Sequence, residues 1–182
     1  MQTSSEFDAI GEEVARKPMT VLRGPLGTVF SSIHRLFEIA VIALFAAMVF
    51  VALWQVVNRF LLGSSLSWSE EFQRYAHIWL IFFAVPIGYR RGAHIGVDIL
   101  QNALGPRKAL FLDWIIDLAW LLLGAAIVVS TWALMSVAWR QTSAGIGITM
   151  DKVYFGLVVG GIYLIFTALD RLLQKTLGAS AA

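Results

Sequence analysis

Four apolar stretches divide the chain, separated by short polar segments. They cover about residues 36–62, 72–89, 110–138 and 153–169. Roughly 20 apolar residues in a helix, at about 1.5 Å each, cross the ~30 Å hydrocarbon core of a bilayer. The pattern therefore predicts an all-α polytopic membrane protein with four transmembrane helices, the second of minimal length.

The polar residues around these stretches predict how two of the helices begin and pack. Ser69 is suited to cap the second helix, and Glu70 and Glu71 suit the positive end of its dipole. Glu70 and Arg74 are four residues apart, so they can pair on one helix face. In the fourth stretch, Gly156 and Gly160 form a small-xxx-small face at which another helix can approach closely.

The same pattern divides the chain into three regions. Residues 1–35 form a polar segment, predicted to be an amphipathic helix or disordered. Residues 36–170 form the membrane domain, and residues 171–182 form a tail that is expected in the cytoplasm. Within the linker 90–109, His94 and Asp98 lie four residues apart, which is a possible metal-ligand spacing; a polar interfacial face is the better interpretation, because two ligands do not complete a site.

Composition supports lipid as the main solvent of this protein. The chain is 58% hydrophobic and 14% charged, whereas soluble domains carry about 25% charged residues. A net charge of +2 without a basic cluster argues against nucleic-acid binding. The absence of cysteine excludes disulfides, thiolate metal sites and cysteine nucleophiles. Residues 1–35 contain no apolar run typical of a cleavable signal peptide.

The basic residues predict an orientation in the membrane. The N-terminal segment and the linker 90–109 each carry four Lys or Arg residues and the tail carries two, so ten of the 14 lie on one side. Because basic residues favour the cytoplasmic side, both termini are expected there.

Few residues in the predicted spans are suited to chemistry. His77 is the one histidine of three inside a span, so the pair of imidazoles required for haem between helices is missing. A membrane electron-transfer subunit resembling a b-type cytochrome is therefore the weaker alternative. Asp113 and Asp117 share a helix face; they either form a cation or proton site or pair with the helix dipole and with Arg107 or Lys108. No common catalytic motif is present, and we expect neither enzymatic activity nor a cofactor.

The region between the first and third spans carries the most specific pattern in the chain. It consists of Arg59-Phe60, then Ser67-Trp68-Ser69-Glu70-Glu71 with Arg74-Tyr75, then Arg90-Arg91-Gly92-Ala93-His94-Ile95-Gly96-Val97-Asp98. This order and spacing, with four spans, resembles the small DctQ-like membrane subunit of tripartite ATP-independent periplasmic (TRAP) transporters. The resemblance covers most of residues 36–170.

The resemblance implies a three-part importer in the bacterial inner membrane. A periplasmic binding protein captures an organic anion or zwitterion, and a large membrane subunit moves it using the sodium gradient. The small subunit braces the large one and has no catalytic residues. Trp68 is expected at the periplasmic interface, and Glu70 and Glu71 either face the binding protein or close the first helix hairpin with Arg59. We favour the hairpin, because a charge near lipid needs a partner.

Overall fold

The structure, a computed structural model, describes residues 25–64, 66–91 and 106–179. The regular elements in these ranges are four α-helices: α1 (Pro25–Leu61), α2 (Ser67–Arg90), α3 (Pro106–Ala138) and α4 (Met150–Ala179). One isolated antiparallel bridge, between Thr142 and Thr149, lies in the α3–α4 loop. The predicted all-α class is thus confirmed.

Three of the four helices are long and apolar enough to cross a membrane. These candidate spans are Gly27–Leu61 in α1, Phe111–Ala138 in α3 and Met150–Thr176 in α4. Helix α2 is not among them, because polar and charged residues occupy its first turns and Arg90 forms its end. The apolar part of α2, between its polar first turns and Arg90, is correspondingly short.

Two helices extend beyond the apolar stretches that predicted them. Helix α1 begins at Pro25 rather than near residue 36, since proline suits the first turn of a helix. Helix α4 continues to Ala179 rather than ending near residue 169. The residues that follow the fourth apolar stretch therefore belong to a helix of the bundle.

The predicted cap of α2 is wrong. The helix begins at Ser67, and its N-cap residue is Leu66, which makes no side-chain cap hydrogen bond. The buried Ser69 hydroxyl instead donates to the carbonyl of Leu66 at 2.7 Å. A serine inside the first turn can form such a local bond in place of a cap.

Helix α4 is the centre of the bundle. It packs against α3 and α2, and α2 packs in turn against α1. In the most apolar segment of α4, 56% of the residues are buried. In the most apolar segment of α1, none are buried. Tyr89 of α2 and Leu164 and Ala168 of α4 form a buried cluster on which α3 residues pack. Helix α1 therefore lies at the edge of the bundle.

Glycines allow α4 to approach its neighbours closely. A Cβ atom at Gly156 would overlap the indole ring of Trp79, and one at Gly160 would lie 2.7 Å from the Cβ of Phe82. On another face of α4, a Cβ at Gly161 would lie 2.9 Å from a methyl group of Val128. The small-xxx-small face of α4 thus packs against α2 of the same chain.

The predicted N-terminal segment up to residue 24 and most of the linker, including His94 and Asp98, lie outside the described residues.

Candidate functional site

Polar contacts between helices concentrate at the two ends of the bundle. At one end, here called the charged end, α1 and α3 begin and α2 and α4 finish. At the other, here called the loop end, short connections join α1 to α2 and α3 to α4. The ionisable side chains of the charged end come from all four helices.

Asp117 of α3 is the most deeply buried charge of the charged end, with 0% of its side chain exposed. Its carboxylate lies 3.2 Å from Nε of Arg171 and 2.5 Å from Nζ of Lys175, both on α4. The Tyr89 hydroxyl of α2 donates to the same carboxylate at 2.5 Å. Because a buried carboxylate requires opposite charge and hydrogen-bond donors, Asp117 links α3 to both α2 and α4.

The two cations of α4 make further contacts there. Arg171 donates to the main-chain oxygen of Tyr89 at 2.9 Å, and its guanidinium lies 4.6 Å from the centre of the Tyr89 ring. That carbonyl is in the last turn of α2, where helices leave acceptors without intrahelical partners. Lys175 lies 3.7 Å from the Asp113 carboxylate and donates to the main-chain oxygen of Asp113 at 3.2 Å.

The basic partners that the structure gives Asp113 and Asp117 come from α4. Arg171 and Lys175, which the sequence assigned to a tail, lie within ion-pair distance of these carboxylates. No group of three His, Cys, Asp or Glu residues suited to a metal ion occurs within the described ranges. The arrangement is that of an ion-pair network joining helices.

A second buried contact joins α1 to α4. His34 is 2% exposed; its Nδ1 lies 2.9 Å from the Tyr163 hydroxyl, and its Nε2 lies 3.3 Å from the Asp170 carboxylate. If Tyr163 donates to Nδ1 and Nε2–H donates to Asp170, the neutral imidazole satisfies both contacts. Both ring nitrogens of His34 are thus engaged by α4.

A third contact joins α1 to α2. Glu38 accepts hydrogen bonds from Arg90 at 3.0 Å and from Arg91 at 2.9 Å. The three contacts together contain equal numbers of acidic and basic groups. The acids are Glu38, Asp113, Asp117 and Asp170, and the bases are Arg90, Arg91, Arg171 and Lys175.

At the loop end, Glu71 of α2 holds the α3–α4 loop. Its carboxylate accepts hydrogen bonds from the Ser143 hydroxyl and from the backbone N–H groups of Gly145 at 2.9 Å and Ile146 at 3.1 Å. A Cβ on Gly145 would lie 3.0 Å from the main-chain oxygen of Ser67, so this close approach favours glycine. Glu71 precedes the apolar part of α2, and the hydrogen bond from Ser143, followed by the backbone donors, lowers its pKa below the usual 4.5.

Two further side chains of α2 bind backbone groups of neighbouring helices. Gln73 donates to the carbonyl of Met48 in α1 at 3.0 Å. The indole N–H of Trp79 donates to the carbonyl of Val153 in α4 at 2.8 Å. Near the loop end, α2 is therefore fixed to both of its neighbours.

The ion pairs predicted for the first hairpin are not formed within the described ranges. Glu71 binds the α3–α4 loop and not Arg59, and Glu70 and Arg74 make no ion pair with each other. The side chains of Arg59, Trp68, Glu70 and Arg74 are exposed. Of the residues selected from the sequence, the structure brings five into contact with other parts of the bundle: Glu71, Arg90, Arg91, Gly156 and Gly160.

Sequence reasoning missed the partners that α4 supplies. Arg171 and Lys175 are four residues apart on one helix face, as Asp113 and Asp117 are on α3. Matching pairs of opposite charge at the same end of consecutive antiparallel helices are the signal that indicates such a contact. His34 was missed because the apolar pattern placed it outside the bundle.

Comparison with known proteins identifies a family and several relatives of this chain. A family model described as "Tripartite ATP-independent periplasmic transporters, DctQ component" matches residues 48–178. A Haemophilus influenzae protein, provisionally described as a TRAP transporter small permease protein, is 28% identical over 142 residues, covering 78% of this chain and 88% of the relative.

Two other relatives have more specific descriptions. The sialic acid TRAP transporter small permease protein SiaQ of Vibrio cholerae is 27% identical over 154 residues, which cover 82% of this chain and 88% of that protein. The isethionate TRAP transporter permease protein DctMQ of Oleidesulfovibrio alaskensis is 28% identical over 162 residues, which cover 85% of this chain but 25% of that protein.

Proposed function

Since the chain belongs to the DctQ component family of tripartite ATP-independent periplasmic transporters, and is therefore a small permease subunit, we propose that it serves as a scaffold for a larger membrane subunit. Helices of a moving transporter domain change their contacts during each cycle. A scaffold needs helices whose relative positions are fixed.

The observation that carries this proposal is the ion-pair network of the charged end. It ties α1 to α2 through Glu38, α1 to α4 through His34, and α3 to α4 through Asp117. The hydrophobic effect does not drive helix association within lipid, so packing and polar contacts must do so. A bundle joined in this way suits a scaffold subunit, whose helices keep their positions while the large membrane subunit changes conformation.

The transport reaction is proposed to be sodium-driven import that depends on a periplasmic binding protein. Sialic acid and isethionate, named in the descriptions of two relatives, are both organic anions. An organic anion or zwitterion is therefore the proposed substrate class. Recognition of that substrate is assigned to the binding protein and the large subunit, and no substrate site is assigned to this chain.

The chain is proposed to span the bacterial inner membrane four times with both termini in the cytoplasm. Helix α2 forms the fourth span when partner helices cover its polar groups, since membrane proteins tolerate such groups away from lipid. The excess of basic residues on the side of the termini supports this orientation.

Reconstitution of purified components into vesicles tests the proposal. This chain alone, the large subunit with the binding protein, and all three components are compared for sodium-driven uptake of the ligand of the binding protein. Uptake is expected from the complete mixture alone. Full uptake without this chain, or ligand flux through this chain by itself, would contradict the scaffold role.

A further inference from the structure

Helix α2 leaves one narrow stripe of its surface exposed. Apart from Trp68, its exposed residues are Ser67, Glu70, Arg74, His77, Ile81 and Val85. They are spaced three or four residues apart, so they lie on one face of the helix. The remaining surface of α2 packs against α1 and α4. This face, here called the α2 stripe, points away from the bundle.

The half of the α2 stripe nearest the loop end is polar. Glu70, Arg74 and His77 occupy three successive turns, and Ile81 and Val85 continue the stripe as an apolar half. None of the three polar side chains has a hydrogen bond or ion pair with another residue in the part of the chain that the structure describes. The helix therefore presents ionisable groups outward and without partners within those ranges.

With α2 crossing the membrane as proposed above, His77 lies deep enough in the span to need a protein partner. Helix α2 has 24 residues and is about 36 Å long, which places His77 about 15 Å from Ser67 at 1.5 Å per residue. Arg74 has a long side chain that can extend to the interface, but the imidazole of His77 is too short to do so. Near the middle of a span, lipid offers no hydrogen-bond partner.

Ionisable residues within membrane spans face a bundle interior or a water-filled cavity. Among the described residues the α2 stripe faces neither, so the bundle to which it belongs must be larger than these four helices. Building on the function proposed above, we propose that the α2 stripe is the docking surface for a transmembrane helix of the large subunit. In the Oleidesulfovibrio alaskensis relative, the region similar to this chain is a quarter of a longer permease protein.

The chemistry of the stripe specifies the partner helix. The partner helix carries a carboxylate opposite Arg74. It also carries a hydrogen-bonding side chain opposite His77, at about the middle of the membrane. Apolar residues of the partner pack on Ile81 and Val85. The polar pairs set the vertical register between the two helices, and the apolar half supplies close packing.

Co-purification from a detergent extract tests the surface. The chain is co-expressed with an affinity-tagged large subunit and the binding protein, and the amount recovered with the tag is measured. His77→Leu and Ile81→Trp are each expected to lower recovery on the order of fivefold, through a lost hydrogen bond and a steric clash respectively. Val129→Trp is the matched control, because Val129 is 70% exposed on α3.

The outcomes separate this inference from the proposed function. If the unaltered chain does not co-purify, the proposed function fails. If it does co-purify and both α2 variants are recovered in full, the surface assignment fails while the function stands. The assignment also fails if only Val129→Trp lowers recovery. A lipid-facing stripe would tolerate either α2 substitution, since leucine and tryptophan are compatible with lipid.

A photo-reactive benzoylphenylalanine at position 81 gives a second readout that does not require a destabilising change. Illumination of the assembled transporter is expected to yield a covalent product with the combined mass of this chain and the large subunit. A product of two copies of this chain, or no protein product when the complex is intact, would overturn the assignment.

Discussion

The carboxylate of Asp117 is the single group with the largest expected effect on stability. It is fully buried, with Arg171 and the Tyr89 hydroxyl beside one carboxylate oxygen and Lys175 beside the other. Removing one partner from a buried ion pair leaves the other charge uncompensated, at a cost of about 3–5 kcal/mol.

Asp117→Asn is therefore expected to lower the thermal unfolding midpoint of the detergent-solubilised chain by several degrees, on the order expected from that cost. Asp113→Asn is the matched control: the same change one turn earlier, at a carboxylate 31% exposed and 3.7 Å from Lys175. Its effect is expected to be smaller, because water screens a partly exposed pair more than a buried one. Equal shifts in the two variants would contradict the assigned importance of Asp117.

Glu71 gives the loop end a pH dependence of known sign. Its pKa is lowered by the hydrogen bond from Ser143 and by the backbone donors of the loop. A carboxylate with a lowered pKa in the folded state stabilises that state above its unfolded pKa, and the contribution is lost as the pH falls through the folded pKa.

The difference in stability between the unaltered chain and Glu71→Gln is expected to be constant above about pH 5 and to shrink as the pH falls below the usual pKa of 4.5. Thermal unfolding of both proteins at several pH values measures this difference in stability. Glu70→Gln is the control, because Glu70 is the exposed neighbouring residue without loop contacts in the described ranges. A difference that grows toward acid pH would show that Glu71 has another role.

At the scale of elements, α4 holds the bundle together by packing closely with α2 and α3. Gly156 and Gly160 admit Trp79 and Phe82 of α2, and Gly161 admits Val128 of α3. Within lipid, such close backbone approach replaces the hydrophobic driving force.

Gly156→Ala is expected to destabilise the bundle by about 1–3 kcal/mol, because the added methyl group overlaps the Trp79 ring. Gly88→Ala in α2 is the matched control, since a Cβ there meets nothing within 4 Å. Alanine favours a helix over glycine by about 1 kcal/mol, so the control is expected to be neutral or stabilising. Thermal unfolding of both variants measures the difference, and a stabilised Gly156→Ala protein would refute the close contact.

At the scale of the whole molecule, the four helices alternate in direction, so both termini lie on one side of the membrane when all four cross it. The charged end also lies on that side. The linker that follows Arg91 and the end of α4 add basic residues there.

Reporter fusions test this orientation. Reporters at Met1, Gly96 and Ala182 are expected to be active in the cytoplasm, and reporters at Ser65 and Gly145 in the periplasm, because basic residues are retained on the cytoplasmic side. A reporter at Ser65 that is active only in the cytoplasm would overturn the four-span orientation, since α2 would then not cross.

The sequence by itself predicted those features that depend on local composition. Apolar stretches predict where helices occur, since lipid requires the backbone to satisfy its own hydrogen bonds. The spacing of Gly156 and Gly160 predicts a helix face for close approach, because residues four apart share a face. The combination around Ser67–Glu71 and Arg90–Arg91 indicates the family.

Features that depend on which helices become neighbours were decided by tertiary structure. Asp117 meets Lys175 across many intervening residues, and Glu71 binds a distant loop rather than nearby Arg59. Helices α1 and α4 extend past their apolar stretches, and at these extensions buried contacts involve polar His34 and charged Arg171. Hydropathy is a property of each segment, whereas a charge finds its partner only after the segments pack; the sequence therefore predicted the helices, and packing determined their ion pairs.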